Sequence, residues 1–421
     1  MVAPAASAPV ETPTPPSERS FRFTWPWIFL AAAAAIVLLA TLRVVTGADD
    51  VASSGTLRAA IRAAMPIALA GLGGLWSERA GVVNIGLEGM LIMGTFGAGF
   101  AGYQWGMWAG VAFALIFGAL AGLLHAIACV GFGVDHIVSG VAINVIALGA
   151  AQYLADIAFT GKPGGGPTQS PPVQPLPTFD IPGLADAAKD IEDKGWFFAS
   201  DLAAIVGGFA TRLSLLTVLG VALFVLTWWL LWRTTFGLRI RACGESPTAA
   251  ETLGVNVYRY KYIAVIISGA CAGLGGAFLV EDATVYRDGQ TGGRGYIGLA
   301  AMIFGNWRPG GLLAGAGLFG FTDALRLRSG GESVHALLLL IGVILVLLSA
   351  WLIYRRSTFQ AVSSLVIGLG LIVLYLTTDE IPGDFTGMTP YLTTLLVLAL
   401  ASQRLRMPKA DGLRYRRGQA G

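Results

Sequence analysis

Residues 262–280 read YIAVIISGACAGLGGAFLV, a run of 19 residues with no charged side chain. A helix that crosses the hydrocarbon core of a bilayer needs about 20 mainly apolar residues, so this run predicts a membrane-spanning helix. Gly269 and Gly273 stand four positions apart within it. Small residues at that spacing let helix backbones approach closely in lipid, where van der Waals packing replaces a hydrophobic driving force. The run therefore predicts a span in a tight bundle of helices.

Apolar runs of this kind recur along the whole chain. The chain of 421 residues is 55% hydrophobic and only 13% charged, with a mean hydropathy of +0.68, whereas a soluble domain carries about 25% charged residues. Strands of a membrane barrel would be about 10 residues long with alternating polarity, which these runs are not. We therefore predict an all-α integral membrane protein with about ten transmembrane helices and a re-entrant, glycine-interrupted hairpin. The apolar segments are 25–45, 57–76, 85–103, 107–132, 137–159, 202–232, 262–280, 295–325, 334–354, 361–376 and 390–401.

The hairpin follows from the positions of lysine and arginine, which are enriched in cytoplasmic loops of membrane proteins. With the N-terminus in the cytoplasm, six crossings bring the loop 233–261, with its five basic residues, back to the cytoplasm. Arg355 and Arg356 are also cytoplasmic only if residues 295–325 enter and leave from the outer side. We therefore predict two half-helices joined by GNWRPGG at residues 305–311.

The predicted organisation has a membrane domain between two tails. Residues 1–24, rich in Pro, Ala, Ser and Thr, are expected to form a disordered cytoplasmic tail. Residues 25–403 form the transmembrane domain, in which 161–201 is an extracytoplasmic loop and 233–261 is a cytoplasmic loop. Residues 404–421 form a basic cytoplasmic tail.

Two polar interruptions lie at predicted membrane depth. The first is SERAGVVNIGLEGM at residues 77–90, which contains Asn84 and Glu88, and the second is the 305–311 turn. A carboxylate inside the membrane is costly and is by default a functional hypothesis. Paired breaks in two halves of a transporter are typical of a pathway at the midplane. The candidate translocation residues are Asn84, Glu88, Asn306 and Arg308, with the alternative that Glu88 pairs with an arginine or caps a half-helix.

The loop 233–261 reads RTTFGLRIRACGESPTAAETLGVNVYRYK and predicts an internal helix. Ser246 fits a helix N-cap, Pro247 fits the first helical position, and Gly254 fits the stop after the helix. The predicted helix 247–253 is about two turns long. A short capped helix held parallel to the membrane suits insertion into a groove on a soluble partner, and a solvated connector is the alternative.

The same loop resembles the coupling segment of ABC importer permeases of the ribose and branched-chain amino-acid superfamily. In those proteins a pattern like GxxxRAxGxxPxAAxxxGI precedes a span that opens with a lysine. The matching positions are Gly237, Arg241, Ala242, Gly244, Pro247, Ala249, Ala250, Gly254 and Lys261, with Val255 in place of isoleucine. Residues 77–90, SGACAGLGGAFL from Ser268 and GLAAMIFGNWRPGGLLAGAGLFG from Gly298 look like the nucleoside-type (simple sugar and nucleoside uptake) permeases of that superfamily. The similarity covers about residues 57–400.

The resemblance implies a multi-pass permease subunit of an ATP-binding-cassette importer in a bacterial inner (plasma) membrane, with both termini cytoplasmic. The implied partners are a cytoplasmic ATPase, a second homologous permease, an extracytoplasmic solute-binding lipoprotein and the lipid bilayer. The implied solute is small and polar, a nucleoside, with a ribose-like simple sugar as the alternative. The residues implied to couple the chain to the ATPase are Gly244, Glu245, Pro247, Ala249, Ala250 and Gly254. The chain has no GxxxxGK[ST] motif, so ATP would be bound by the partner, and this chain binds no cofactor and is not an enzyme.

Two other classes of protein compete with this reading. An ion-coupled secondary transporter would also use broken helices with polar residues at the midplane, but it has no ATPase for the loop 233–261 to contact. An intramembrane enzyme is disfavoured because His125, His136 and His335 lack metal-ligand spacing and no Gly-x-Ser-x-Gly motif lies within a span. The formal net charge of +3 gives no indication of nucleic-acid binding.

Overall fold

The computed structural model describes residues 25–354, 356–379, 381 and 405–418. In these residues the chain is almost entirely helical, with one two-stranded ribbon. Seven of the described helices are long and apolar enough to cross a membrane, by length and composition. An all-α integral membrane protein is therefore confirmed, and the count of ten crossings stays a prediction. The predicted disordered N-terminal tail and the last predicted apolar segment lie outside the described residues.

The helices follow the predicted apolar segments and are numbered in chain order. They are α1 (Trp25–Thr46), α2 (Ser54–Arg79), α3 (Leu87–Trp105), α4 (Met107–Ala126), α5 (His136–Phe159), α6 (Leu184–Glu192), α7 (Ala199–Ala210), α8 (Leu215–Arg233), α9 (Thr235–Glu245), α10 (Pro247–Thr252), α11 (Val257–Ala283), α12 (Arg294–Phe304), α13 (Pro309–Tyr354) and α14 (Thr358–Thr377). A 3-10 turn (Asp49–Ala52) precedes α2, and a π turn (Ile127–Gly131) extends α4. The ribbon pairs β1 (Thr178–Phe179) antiparallel with β2 (Leu213–Ser214).

Helices α2 and α11 form the core of the bundle. In each of them 72% of the residues in the most apolar stretch are buried, against 11% in α14. Helix α11 crosses α4 where Gly118 meets Gly273, so closely that a Cβ on Gly118 would lie 2.7 Å from the Gly273 α-carbon. Real Cβ atoms do not approach other atoms that closely, so this crossing requires glycine. The predicted glycine spacing therefore corresponds to a backbone-to-backbone contact.

The bundle has two ends with different loops. Helix α2 begins at the long loop between α5 and α8, where Arg58 Nη2 donates to Thr211 Oγ1 at 2.5 Å. Helix α11 runs in the opposite direction and begins where the Tyr258 ring packs against Tyr415, with 5.3 Å between ring centroids. Tyr415 belongs to the C-terminal segment 405–418. We call the first end the long-loop end and the second the tail end.

The sixth predicted segment, 202–232, is two helices and not one, which corrects the expectation of a single long span. Helix α7 ends at Ala210, and α8 begins only at Leu215. Between them Arg212 takes a left-handed φ of +49°, and its backbone N–H donates to Asp180 Oδ1 at 2.5 Å. A charged residue in a non-helical conformation ends α7, so α8 alone is long and apolar enough to cross a membrane.

The break predicted at residues 305–311 is a turn between two helices. Helix α12 has 11 residues, which is about 16 Å or half of the hydrocarbon core. The chain turns at Asn306 and Trp307, whose φ angles are +55° and +51°. Helix α13 then continues for 46 residues, about 69 Å, because no proline interrupts it. The predicted return arm and the following span are thus one helix, and the re-entrant path stays a prediction.

Candidate functional site

The loop 233–261 folds into the short helices α9 and α10 at the tail end. Helix α10 ends in a Schellman turn, in which Gly254 N–H donates to Glu251 O at 2.9 Å and Val255 N–H donates to Ala250 O at 3.0 Å. Gly254 takes a φ of +81°, which glycine adopts without the strain that a Cβ would cause. The predicted helix and its glycine stop are therefore confirmed. Ser246 precedes α10 as predicted, but its side chain makes no capping hydrogen bond.

Part of the matched pattern holds this loop against the bundle. Gly244 lies so close to α2 that a Cβ on it would come within 3.1 Å of the Gly81 nitrogen. Ala250 is only 3% exposed and packs with Cys243 and Val257. These two predicted coupling residues, Gly244 and Ala250, therefore shape the loop and do not face a partner.

The outward face of α10 is the part that a partner can contact. Glu245 and Ala249 are exposed, and Pro247 is half-buried. Leu253 follows the last residue of α10 and is 85% exposed although it is large and apolar. Sequence reasoning passed over Leu253, because its exposure depends on the direction in which α10 leaves the bundle.

The C-terminal segment 405–418 packs on the same end. Ala410 N–H donates to Gly244 O at 2.8 Å, which joins the segment to the end of α9. Arg406 N–H donates to Asn306 Oδ1 at 2.8 Å, which joins it to the turn between α12 and α13. Arg417 Nε also lies 3.3 Å from a carboxylate oxygen of Glu251 in α10. One segment therefore contacts α9, α10 and the turn after α12.

Buried charged side chains meet beneath this segment. Asp411, Glu78 and Lys261 are all less than a tenth exposed. Lys261 Nζ donates to Gly81 O at 3.1 Å, and Trp307 Nε1 donates to Glu78 Oε2 at 2.6 Å. Burial raises the pKa of Asp411 to about 7, because the ionised carboxylate loses its hydration there. The tail end thus encloses charge in a tightly packed contact between distant parts of the chain.

Glu88 caps the N-terminus of α12. Its Oε1 accepts from Gly293 N–H at 3.0 Å, and its Oε2 accepts from Gly295 N–H at 2.7 Å. A carboxylate is stabilised there by the unpaired amides of the first turn and by the helix dipole. The neighbouring Asn144 of α5 donates to the Tyr296 hydroxyl at 2.9 Å. The capping alternative for Glu88 therefore holds, and this cap joins α3 to α12.

The four candidate translocation residues do not line one space. Asn84 is fully buried and its Nδ2 donates to Ser268 Oγ at 2.8 Å. Asn306 lies in the turn at the tail end, where its carboxamide oxygen accepts from the C-terminal segment. Arg308, in the same turn, is exposed. The structure therefore brings Asn84 and Glu88 to one helix break and Asn306 and Arg308 to another.

A polar cavity opens at the long-loop end instead. It consists of two neighbouring spaces of about 300 and 460 Å³ that share Arg62, Arg212, Phe278 and Asp282 in their linings. We call the two spaces together the arginine cavity. Its charged lining residues are Arg58, Arg62, Arg212, Glu281, Asp282, Arg294, Asp323 and Arg328.

Ion pairs in the wall of the arginine cavity join different helices. Arg62 Nη1 of α2 lies 3.7 Å from Asp282 Oδ1 of α11, and both side chains are well exposed. Arg294 Nη2 of α12 lies 3.3 Å from Asp323 Oδ2 of α13, and this pair is more enclosed. The pairs offset part of the positive charge, so the cavity presents both donors and acceptors to a solute.

Sequence reasoning missed these lining residues, although a signal was present. Arg58 and Arg62 stand four positions apart near the start of an apolar helix, and Asp323 lies within an apolar stretch. Ionisable residues inside membrane segments are functional candidates by default. Their convergence on one cavity could not be read from positions that are more than 200 residues apart in the chain.

Long apolar helices, a polar cavity at one end and a capped loop helix at the other define a membrane transport permease. The chain belongs to the family of branched-chain amino acid transport system permease components, whose family model matches residues 56–375. No solved structure matches the chain.

Curated relatives of the chain are permeases of ABC transporters. The guanosine ABC transporter permease protein NupQ of Bacillus subtilis (strain 168) is 35% identical over 364 residues, which cover 85% of this chain and 94% of the relative. The nucleoside ABC transporter permease protein NupC of Lactococcus lactis subsp. cremoris (strain MG1363) is 32% identical, over 83% of this chain and 93% of the relative. A second guanosine permease of the same Bacillus, NupP, is 26% identical over 62% of this chain and 70% of the relative.

Proposed function

We propose that this chain is the permease subunit of an ATP-binding-cassette importer that takes up nucleosides. The proposal is carried by the capped helix α10 at the tail end, in a chain that is 35% identical to a guanosine ABC transporter permease over 85% of its length. A simple-sugar importer would share the loop, and a putative glucose ABC transporter permease protein, TsgC13 of Haloferax volcanii, is also 35% identical, but over 66% of this chain. A secondary transporter would have no use for the loop.

Helix α10 is the contact for a cytoplasmic ATPase, with Ala249 and Leu253 at its centre. Gly244 and Lys261 join the loop to the ends of α2 and α11, and Asn306 joins it, through the C-terminal segment, to the turn after α12. A force applied to α10 would therefore reach the helices that line the arginine cavity. Rigid-body rocking of packed helices is the movement that such connections permit.

The remaining partners would bind at other faces. A second, homologous permease would complete the pathway, since the relatives from Bacillus and Lactococcus include two different permeases in each organism. An extracytoplasmic binding lipoprotein would deliver the solute at the long-loop end, which residues 161–201 help to form. ATP would be hydrolysed by the ATPase and not by this chain.

The tail end would face the cytoplasm of a bacterial cell, with both termini inside and ten crossings of the inner membrane. The loop 233–261 and the C-terminal segment 405–418 support this orientation, because both are basic and both lie at the same end. Helix α12 and the start of α13 would form the re-entrant hairpin, which requires the chain to turn back on the outer side after residue 325, inside the single helix α13. A single cysteine at Ser357 tests this path, because labelling of it from outside intact cells by an impermeant maleimide would refute the hairpin.

Uptake by a purified system tests the function. The chain is reconstituted in liposomes with its ATPase, partner permease and binding protein, and ATP is enclosed on the ATPase side. We expect ATP-dependent uptake of radiolabelled guanosine that an ionophore does not abolish. Uptake of ribose but not of guanosine would favour the sugar importer. Uptake driven by an ion gradient in the absence of ATP would favour the secondary transporter.

Coupling is tested by a charge placed on the exposed face of α10. The double variant Ala249→Asp, Leu253→Asp should abolish ATPase co-purification and lower ATP-driven uptake, because two carboxylates would be carried into a desolvated contact. Leu184→Asp is the matched control, since Leu184 is also exposed but lies at the long-loop end. Normal uptake by the double variant would exclude α10 as the coupling helix.

A further inference from the structure

The arginine cavity combines the chemical groups that a nucleoside needs. Phe278 lines both of its spaces and is 6% exposed, so it presents a small apolar aromatic surface. Around it stand guanidinium groups, which donate hydrogen bonds, and carboxylates, which accept them. Small-molecule sites are typically about 300–1,000 Å³ in volume, mainly apolar, with a few well-placed polar groups. Each of the two spaces, at about 300 and 460 Å³, falls in that range.

The floor of the cavity is formed by Arg294 and Asp323, and the backbone donors beside Arg294 are already used. Arg294 lies between Gly293 and Gly295, whose N–H groups both donate to Glu88. The first turn of α12 therefore has these two amides occupied and cannot offer them to an anion. What the floor presents to a solute is the side-chain pair of Arg294 and Asp323.

The α2 side of the cavity carries a loosely held ion pair. The Arg62 side chain lies 3.7 Å from Asp282, and both side chains are well exposed. This wall presents a carboxylate, which accepts hydrogen bonds, and a guanidinium, which donates them, and both suit the hydroxyl groups of a sugar.

We propose that the arginine cavity is the nucleoside-binding site of this permease, with the base against Phe278 and the ribose hydroxyls on Asp282 and the floor pair. The inference rests on the proposed nucleoside uptake and assigns it to named residues. The lining carries five arginines and three carboxylates, so it supplies hydrogen-bond donors and acceptors to a base and a ribose, and the choice of a nucleoside over a nucleotide rests on the proposed uptake. A bare ribose would leave the aromatic surface unused.

Cysteine protection tests the site directly. The native cysteines Cys129, Cys243 and Cys271 are all buried, so an introduced cysteine is the reactive one. Leu279→Cys places it in the cavity lining, and Ala187→Cys is the control on an exposed face of α6. Labelling by an impermeant maleimide is followed in the assembled complex without ATP, in the presence of guanosine, ribose or guanosine monophosphate.

We expect guanosine to slow the labelling of Leu279→Cys about tenfold once the site is occupied, by mass action, and to leave Ala187→Cys unchanged. Unaltered labelling in a preparation that still takes up guanosine would overturn the site while leaving the function intact. If the unmodified complex does not take up guanosine, the proposed nucleoside uptake itself is refuted. Equal protection by ribose, or by guanosine monophosphate, would overturn the match to a whole uncharged nucleoside.

A kinetic measurement completes the test. Asp282→Asn keeps the size of an exposed side chain but removes its charge, so we expect the KM for guanosine uptake to rise about tenfold through the loss of a charge-assisted hydrogen bond. Asp190→Asn removes the same charge from an exposed face of α6 and should leave the KM unchanged. A KM that is the same in both variants would exclude Asp282 from the site.

Discussion

The two ends of the bundle use charged residues in opposite ways. At the tail end Glu78 and Lys261 are buried with hydrogen-bond partners, and Asp411 is buried beside them in a segment that comes from the far end of the chain. At the long-loop end Arg62 and Asp282 face an open cavity and pair loosely. Buried charges that lose a partner are costly, whereas exposed pairs contribute little to stability. The tail end should therefore govern stability, and the arginine cavity should govern transport.

The largest expected effect is at Gly244, where the loop meets α2. Gly244→Ala should lower the free energy of unfolding by about 2 kcal/mol, because the added methyl group would meet backbone atoms that cannot move aside. Unfolding is followed in detergent with a thiol-reactive dye, which reports exposure of the three buried cysteines.

Gly149→Ala is the control for this substitution. Gly149 lies in helix α5, and a Cβ there would have no neighbour within 4 Å. The unfolding midpoint of Gly149→Ala should be equal to that of the unmodified chain or slightly higher, because alanine has a higher helix propensity than glycine. Equal stability of the Gly244 and Gly149 variants would mean that the contact between the loop and α2 is not tight.

The second effect is a pH dependence of the C-terminal segment. The pKa of Asp411 is about 7 when the segment is docked and about 3.9 when it is free in water. Docking therefore takes up a proton, so the docked state is fully favoured below about pH 4 and loses stability as the pH rises to about 7. Hydrogen exchange of residues 405–418 should speed up on the order of tenfold between pH 6 and pH 8, after correction for intrinsic rates.

Asp411→Asn is the matched variant for this measurement. An asparagine does not titrate, so the corrected exchange of the segment should be the same at both pH values. A pH dependence that survives in Asp411→Asn would assign the titration to another group at the tail end.

The third effect is smaller and concerns the aromatic contact of the segment. Tyr415→Ala removes the ring that packs against Tyr258 and should weaken docking by about 1 kcal/mol. Tyr415→Phe keeps the ring and should behave like the unmodified chain. The extent of docking is read from hydrogen exchange, and identical exchange in the two variants would show that the ring contact contributes nothing.

The smallest effect on stability is expected at the cavity. Arg62→Gln should change the free energy of unfolding by less than about 0.5 kcal/mol, because its partner is exposed and the pair is long. The same variant should nevertheless reduce guanosine uptake. A clear loss of stability with normal uptake would mean that this cavity residue governs stability and not transport, which is the opposite of the expected contrast.

Sequence patterns predicted those features that depend on neighbouring residues. The proline and glycine around α10 predicted its bounds to within one residue, since capping and turn geometry are local. Glycine at four-residue spacing predicted a tight bundle, because such spacing places small residues on one face of a helix, and the structure identifies the contact as that between α4 and α11. The sixth span was too long in the prediction, because residues 202–232 are mainly apolar and a single arginine, Arg212, marks the turn that divides them.

The sequence by itself determined that the protein is a helical membrane protein with a short helix in the loop 233–261, because apolar length and loop punctuation depend on consecutive residues, and its motifs indicated the permease family by resemblance. Only the tertiary structure decided that Glu88 caps α12, that Gly244 and Ala250 face inward, and that the C-terminal segment closes the tail end. It also brought Arg62, Asp282 and Asp323 to one cavity. These contacts join residues far apart in the chain, and their partners are selected by packing and burial, which no local pattern records.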